Sequence, residues 1–187
     1  MGVSLESFFQ NSGNRYWIVA DPVRVPEIKS FLYQHEPKAD VITLLSDPAF
    51  EHLKEVSPIA SPLEATLELK TRLMNDEVFS SSCIFLKADT QVENDQLIEH
   101  LRALLTVTVE EYLTYFRYYS SSFWRMHASD INERDLNCIL GPFSSIAWFT
   151  SESSCLSVIH PKHVDIENLK KATSPIRLHS AVFKELV

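Results

Sequence analysis

The sequence predicts an α/β fold, with an N-terminal α/β lobe of short strands and flanking helices and a smaller mixed C-terminal lobe. Three observations carry this. Short apolar strands alternate with stretches of helical periodicity through the first half, as a layered α/β arrangement requires. From Leu105 the apolar period switches to two, the repeat of a half-buried strand. A content of 45% hydrophobic and 22% charged residues over 187 positions is that of a globular chain large enough for one sizeable core. The domain is expected to span residues 1–150, divided into an N-lobe at 14–105 and a C-lobe at 106–150. Residues 151–187 follow as an extension with a terminal helix.

Taken in order, Tyr16-Trp-Ile-Val-Ala20 reads as a buried strand stopped by Asp21-Pro22. Pro26 suits the first turn of a helix whose apolar face is Val25, Ile28, Phe31 and Leu32, ending before Pro37. Val41 to Leu45 is a second strand, and Ser46-Asp47-Pro48 opens a short helix through Phe50, Leu53 and Val56. Pro58 and Pro62 bracket Ile59-Ala60, which predicts a brief strand at a sheet edge. A helix over 64–75 and a buried strand over 83–87 come next. Thr90 and Glu93 have capping-box spacing ahead of a helix with Leu97, Ile98, Leu101, Leu104 and Leu105 on one face. Leu105, Val107 and Val109 then alternate, and a second alternating strand from Tyr112 to Tyr119 pairs with them as a hairpin, without an Asn-Gly or Asp-Gly turn. Short helices are expected over 122–128 and 133–140, the second closed by Gly141-Pro142. Ile146 to Thr150 reads as a strand, and Leu178, Val182 and Leu186 line one side of a terminal helix.

Several function classes drop out. A net charge of −8 opposes binding to a phosphate backbone. The three glycines, Gly2, Gly13 and Gly141, are too scattered for a phosphate-cradling loop or a nucleophile elbow. No apolar run approaches the ~20 residues of a membrane span, and the first residues lack the basic and apolar regions of a secretory signal. Cys83, Cys138 and Cys155 form no C-x-x-C pair, which argues for buried or half-buried thiols and a cytoplasmic location.

No catalytic constellation emerges. Cys83 lies in an apolar strand, where a thiol is usually inert filling. His160 and His163 sit three apart with Asp165 nearby but lack the partner of a zinc motif, so a solvated loop is the better reading. No metal and no cofactor is expected. The aromatic residues stand out instead: three Trp, six Tyr and eleven Phe. Tyr112, Tyr115, Phe116, Tyr118, Tyr119, Phe123 and Trp124 crowd around Arg117. Two readings stay open for this segment: a protein-binding surface with aromatic and arginine anchors, or a strand buried on both faces with Arg117 paired to an acid. Trp17 and Trp148, flanked by apolar strand residues, are expected in the core.

The order of these elements resembles the DUF4123 family, adaptor (chaperone) proteins that help load toxic effectors onto the spike of the bacterial type VI secretion system. The resemblance rests on Tyr16-Trp-Ile-Val-Ala-Asp21, Leu44-Leu45-Ser-Asp-Pro-Ala-Phe50 with Val56-Ser-Pro-Ile59, and Cys83-Ile-Phe-Leu-Lys87 followed by the helix Leu97 to Leu105. Phe116-Arg117-Tyr118-Tyr119, Leu140-Gly141-Pro142 and Trp148 complete it over residues 14–150, with Asp21, Gly141, Pro142 and Trp148 as structural motif positions. Ser120-Ser121 stand where relatives have Asp-Pro, which removes an acid expected beside Arg117. The resemblance implies a non-enzymatic adaptor that binds the N-terminal region of a cognate effector and reaches the VgrG spike, directly or through the effector, without nucleic acid or membrane. Tyr115, Arg117, Tyr118, Tyr119, Phe123 and Trp124 are the expected partner-binding residues, with Tyr118 or Trp124 as an anchor. The competing expectation is a small cytoplasmic enzyme using Cys83 or the His160/His163 pair. A third is a structural subunit that forms a stable homo-oligomer.

Overall fold

Trp17 and Val19 point to one side of their strand and Tyr16, Ile18 and Ala20 to the other, and both sides are buried. A strand with two apolar faces needs a layer on each, and the computed structural model, which describes residues 2–10, 13–46, 48–150, 155–162 and 175–186, supplies both. The strand is β2 (Asn14–Ala20), near the middle of a seven-stranded antiparallel sheet. The others are β1 (Gly2–Val3), β3 (Ile42–Thr43), β4 (Ile59–Leu63), β5 (Cys83–Asp89), β8 (Phe143–Thr150) and β9 (Cys155–Ile159), in spatial order β1-β9-β8-β5-β2-β4-β3.

One face carries α1 (Leu5–Phe9), α2 (Ile28–His35), α3 (Leu67–Asn75) and α4 (Glu77–Ser81), packed on Ile18, Ile59, Phe85 and Phe149. The opposite face packs Trp17, Ile84, Leu86, Ile146 and Trp148 against α5 (Asn94–Ala103), α6 (Ser121–His127) and α7 (Glu133–Leu140). A small sheet completes that second layer: β6 (Thr106–Val109) between β7 (Tyr112–Tyr115), antiparallel, and β10 (Ile176–Leu178), parallel. The α/β class therefore holds, with an antiparallel main sheet.

The expected boundary at residue 105 does not divide two cores. β8, from the second half, pairs with β5, from the first, and the cluster around Trp17 includes Leu101, Val107, Trp124 and Phe183. β4 is paired on both sides rather than at an edge; β3 reaches only Ile59 and Ala60, so Pro62 faces an open side where its missing N–H costs nothing. α5 begins at Asn94 with Glu93 in the capping position and no side-chain cap bond, so the Thr90–Glu93 box does not form. The helix expected at the C-terminus is a 3₁₀ turn, Ala181–Leu186, preceded by β10, which takes Leu178 into the small sheet.

Candidate functional site

The aromatic segment is two structures rather than one strand. β7 stops at Tyr115; Phe116 N–H bonds the Leu105 carbonyl, and a turn closed by Ser120 N–H on the Arg117 carbonyl leads into α6. The turn carries Phe116, Tyr118 and Trp124 inward. Tyr118 is buried with its hydroxyl donating to the Leu101 carbonyl at 2.9 Å. Trp124 is fully buried, donates Nε1–H to the Tyr118 carbonyl at 2.5 Å and stacks on Trp148 with centroids 5.9 Å apart. The anchor role expected of Tyr118 or Trp124 is thus overturned, because neither offers surface to a partner. Phe123 is half-buried between Phe116 and Phe183, and Tyr119 is buried beneath Arg117.

What remains accessible is β7 and the Arg117 side chain. Tyr112, Leu113 and Tyr115 are 62%, 67% and 42% exposed. Register explains the two-sided exposure. Leu113 lies opposite Thr108, which lies opposite Arg177, so these share the outer face with Tyr115; Val107, Val109, Ile176 and Leu178 face the core. Tyr112 is on the core side but beyond its rim. The turn between β6 and β7 is Glu110-Glu111, with Glu110 at φ +56°, the positive dihedral a two-residue hairpin needs and for which the sequence offers no glycine.

At the end of β7 the motif residues meet. Asp21, closing β2, is buried and accepts from Val23 N–H through one oxygen and from Arg117 through the other, at 3.0 and 2.8 Å. The guanidinium lies 5.7 Å from the Tyr119 ring centroid, and the Tyr119 hydroxyl is 3.3 Å from that of Tyr115. Burial opposes the charge on Arg117, but Tyr119 and Asp21 outweigh it and raise the guanidinium pKa; burial and Tyr119 push the Tyr115 phenol up too. Asp21 supplies the acid that Ser120-Ser121 lack, from 96 residues away. Ser121 instead donates to the Ser81 carbonyl, which also receives Arg24.

Gly141 has a separate role. Its φ is +52°, and an added Cβ would clash with the His100 ring, 2.2 Å from Cε1. His100, which the sequence reading passed over, is buried on α5, and its Nε2 is 2.8 Å from the Ile139 carbonyl. Burial lowers its pKa to about 4. The signal for it was its place three residues after Leu97 on the apolar face. Pro142 follows in the turn, and Trp148 belongs to the same core cluster as Trp17.

Cys83 is fully buried, its Sγ 3.5 Å from the Phe79 carbonyl, and burial raises its thiol pKa. His160 is exposed after β9, while His163 lies outside the described residues. Among the described residues no three His, Cys, Asp or Glu side chains are grouped to hold a metal, and no helix is long and apolar enough to cross a membrane. A shallow cleft of about 400 Å³ lies between α2 and α3, lined by Phe31, Leu67 and Arg72 among others. Its guanidinium is already bound to Glu27 and Asp76.

A layered α/β domain with an exposed aromatic hairpin is the class these features define. The chain belongs to the DUF4123 family: the model of this domain of unknown function matches residues 16–138, which include Asp21 and Arg117. No curated protein and no solved structure matches the chain.

Proposed function

We propose that this protein is a cytoplasmic, non-enzymatic adaptor that binds a cognate type VI secretion effector and helps load it onto the VgrG spike. One observation carries the reading: β7 presents Tyr112, Leu113 and Tyr115 to solvent beside the Arg117–Asp21 pair. Exposed aromatic and arginine side chains on a rigid element are what a protein-binding surface needs, since rings and guanidinium bury much area for little lost freedom. The family membership supports the reading through the adaptor role that the resemblance implies. The enzyme alternative gains nothing from Cys83, which is buried and held protonated.

The test is co-expression with each candidate effector and spike protein of the same genome, followed by size exclusion. A one-to-one complex with one effector, weakened at least tenfold by Tyr112→Ala with Tyr115→Ala, is the expected result. Failure to bind any candidate overturns it.

A further inference from the structure

We infer that β7 is a strand-acceptor edge, and that the partner docks by adding an extended segment antiparallel to it, with a lysine or arginine at the end that reaches the Glu110-Glu111 turn. This rests on the adaptor reading above and names how the partner is held.

Among the described residues the small sheet is closed on one side only. β10 covers the far side of β6, and no described strand pairs with the outer side of β7. Val109 and Tyr112 face each other across a two-residue turn and exchange both hydrogen bonds, so the N–H and C=O of Leu113 and Tyr115 point away from β6. Natural edges are commonly guarded by lysine, proline or a bulge. β7 has none of these: its sequence is YLTY, and its register with β6 is unbroken. Apolar side chains flank the open edge on both faces, Leu113 and Tyr115 outside and Tyr112 inside. A fourth strand would cover all three while satisfying the outward backbone groups.

Charge selects the occupant. Of the two carboxylates at the turn, Glu110 takes Lys184 at 2.8 Å, whereas exposed Glu111 has no cationic partner among the described residues. At the other end of the strand Arg117 is neutralised by Asp21. Among the described residues Glu111 thus places an unpaired negative charge at the N-terminal end of β7, which the C-terminal end of an antiparallel segment reaches. The chain's own β10 exemplifies what this sheet accepts: Ile176 and Leu178 turn inward while Arg177 stays exposed.

The experiment compares the purified adaptor–effector complex with the adaptor alone by amide hydrogen exchange, alongside affinities for Leu113→Pro, Leu113→Ala and Glu111→Lys. Exchange at Leu113 and Tyr115 should slow at least tenfold in the complex. Leu113→Pro, which deletes only an outward N–H, should weaken binding at least tenfold more than Leu113→Ala, and Glu111→Lys should weaken it severalfold. Should Leu113→Pro fail to fold, the exchange data on the unaltered protein decide. A stable complex with unchanged exchange at both amides overturns strand addition and leaves the adaptor role standing. No complex with any effector overturns both.

Discussion

Of three buried carboxylates, Glu36 and Asp135 each hold a backbone segment remote in sequence, and Asp21 holds the Arg117 side chain. Glu36 accepts from the N–H groups of Glu64, Ala65 and Thr66 and from the Thr66 hydroxyl, fixing the turn that starts α3 with Ala65 at φ +60°. Asp135 accepts from His179 and Ser180 N–H and the Ser180 hydroxyl, which fastens the C-terminal segment to α7. Charge-assisted bonds to otherwise orphaned N–H groups are among the stronger polar interactions, and losing them strands buried donors. Glu36→Ala should cost about 3 kcal/mol, read from the urea midpoint. Asp21 is expected to be asymmetric with its partner. Its side chain is 7% exposed and that of Arg117 is 60%, so water can replace the guanidinium but not the carboxylate. Asp21→Ala should therefore cost about 2 kcal/mol, and Arg117→Ala less than about 1 kcal/mol; equal costs would contradict this account.

His100 makes stability depend on acidity. Its pKa falls from 6.5 unfolded to about 4 folded, so between those values the unfolded chain binds more protons. The contribution, on the order of 3 kcal/mol, is present in full above pH 6.5 and is lost as pH falls towards 4. The urea midpoint should drop between pH 7 and pH 5, and His100→Gln should remove that part of the slope.

At the scale of elements, the local text was legible wherever a local cause governs. Glu133–Leu140 ends at Gly141 as read, because a capping glycine with positive φ and a following proline stop a helix wherever they stand. β7 was misread because aromatic alternation over 112–119 cannot reveal that Phe116 bonds Leu105 and that the chain turns at 117–120. β10 was missed because three residues carry little period, and its parallel place beside β6 is fixed through Asp135 and the burial of Phe183. The Asp21–Arg117 pair was half legible: both residues stood out as motif positions, but only the sheet and the turn before α6 join them. The burial of Trp124 yields a prediction at this scale. Trp124→Ala should destabilise the fold by about 4 kcal/mol through the cavity beside Trp148. Any loss of partner binding should then follow the unfolded fraction, unlike Tyr112→Ala, which should leave the thermal midpoint nearly unchanged.

At the scale of the molecule, the two helical layers share one sheet, and that decides whether the halves of the chain are independent. A fragment of residues 1–105 would keep β2, β4 and β5 but lose β8, leaving the β5 edge bare. It would keep Trp17 and Leu86 but lose Trp124, Leu136, Ile146, Trp148 and Phe183, which cover them. Half of a shared core cannot offset the chain entropy of ordering a hundred residues, on the order of 100 kcal/mol or more. The fragment should accordingly give a collapsed amide spectrum, and the whole chain should unfold in one step. Trp17, Trp124 and Trp148 all belong to the same core, so their fluorescence follows that layer alone. Hydrogen exchange at Ile28, Leu32 and Leu69 follows the other. Coincident transitions by the two probes are expected, because unfolding either layer exposes a face of β2 and β5 that has no other cover. A dispersed spectrum from the fragment, or an earlier transition in one layer, would mean that the sheet does not couple them.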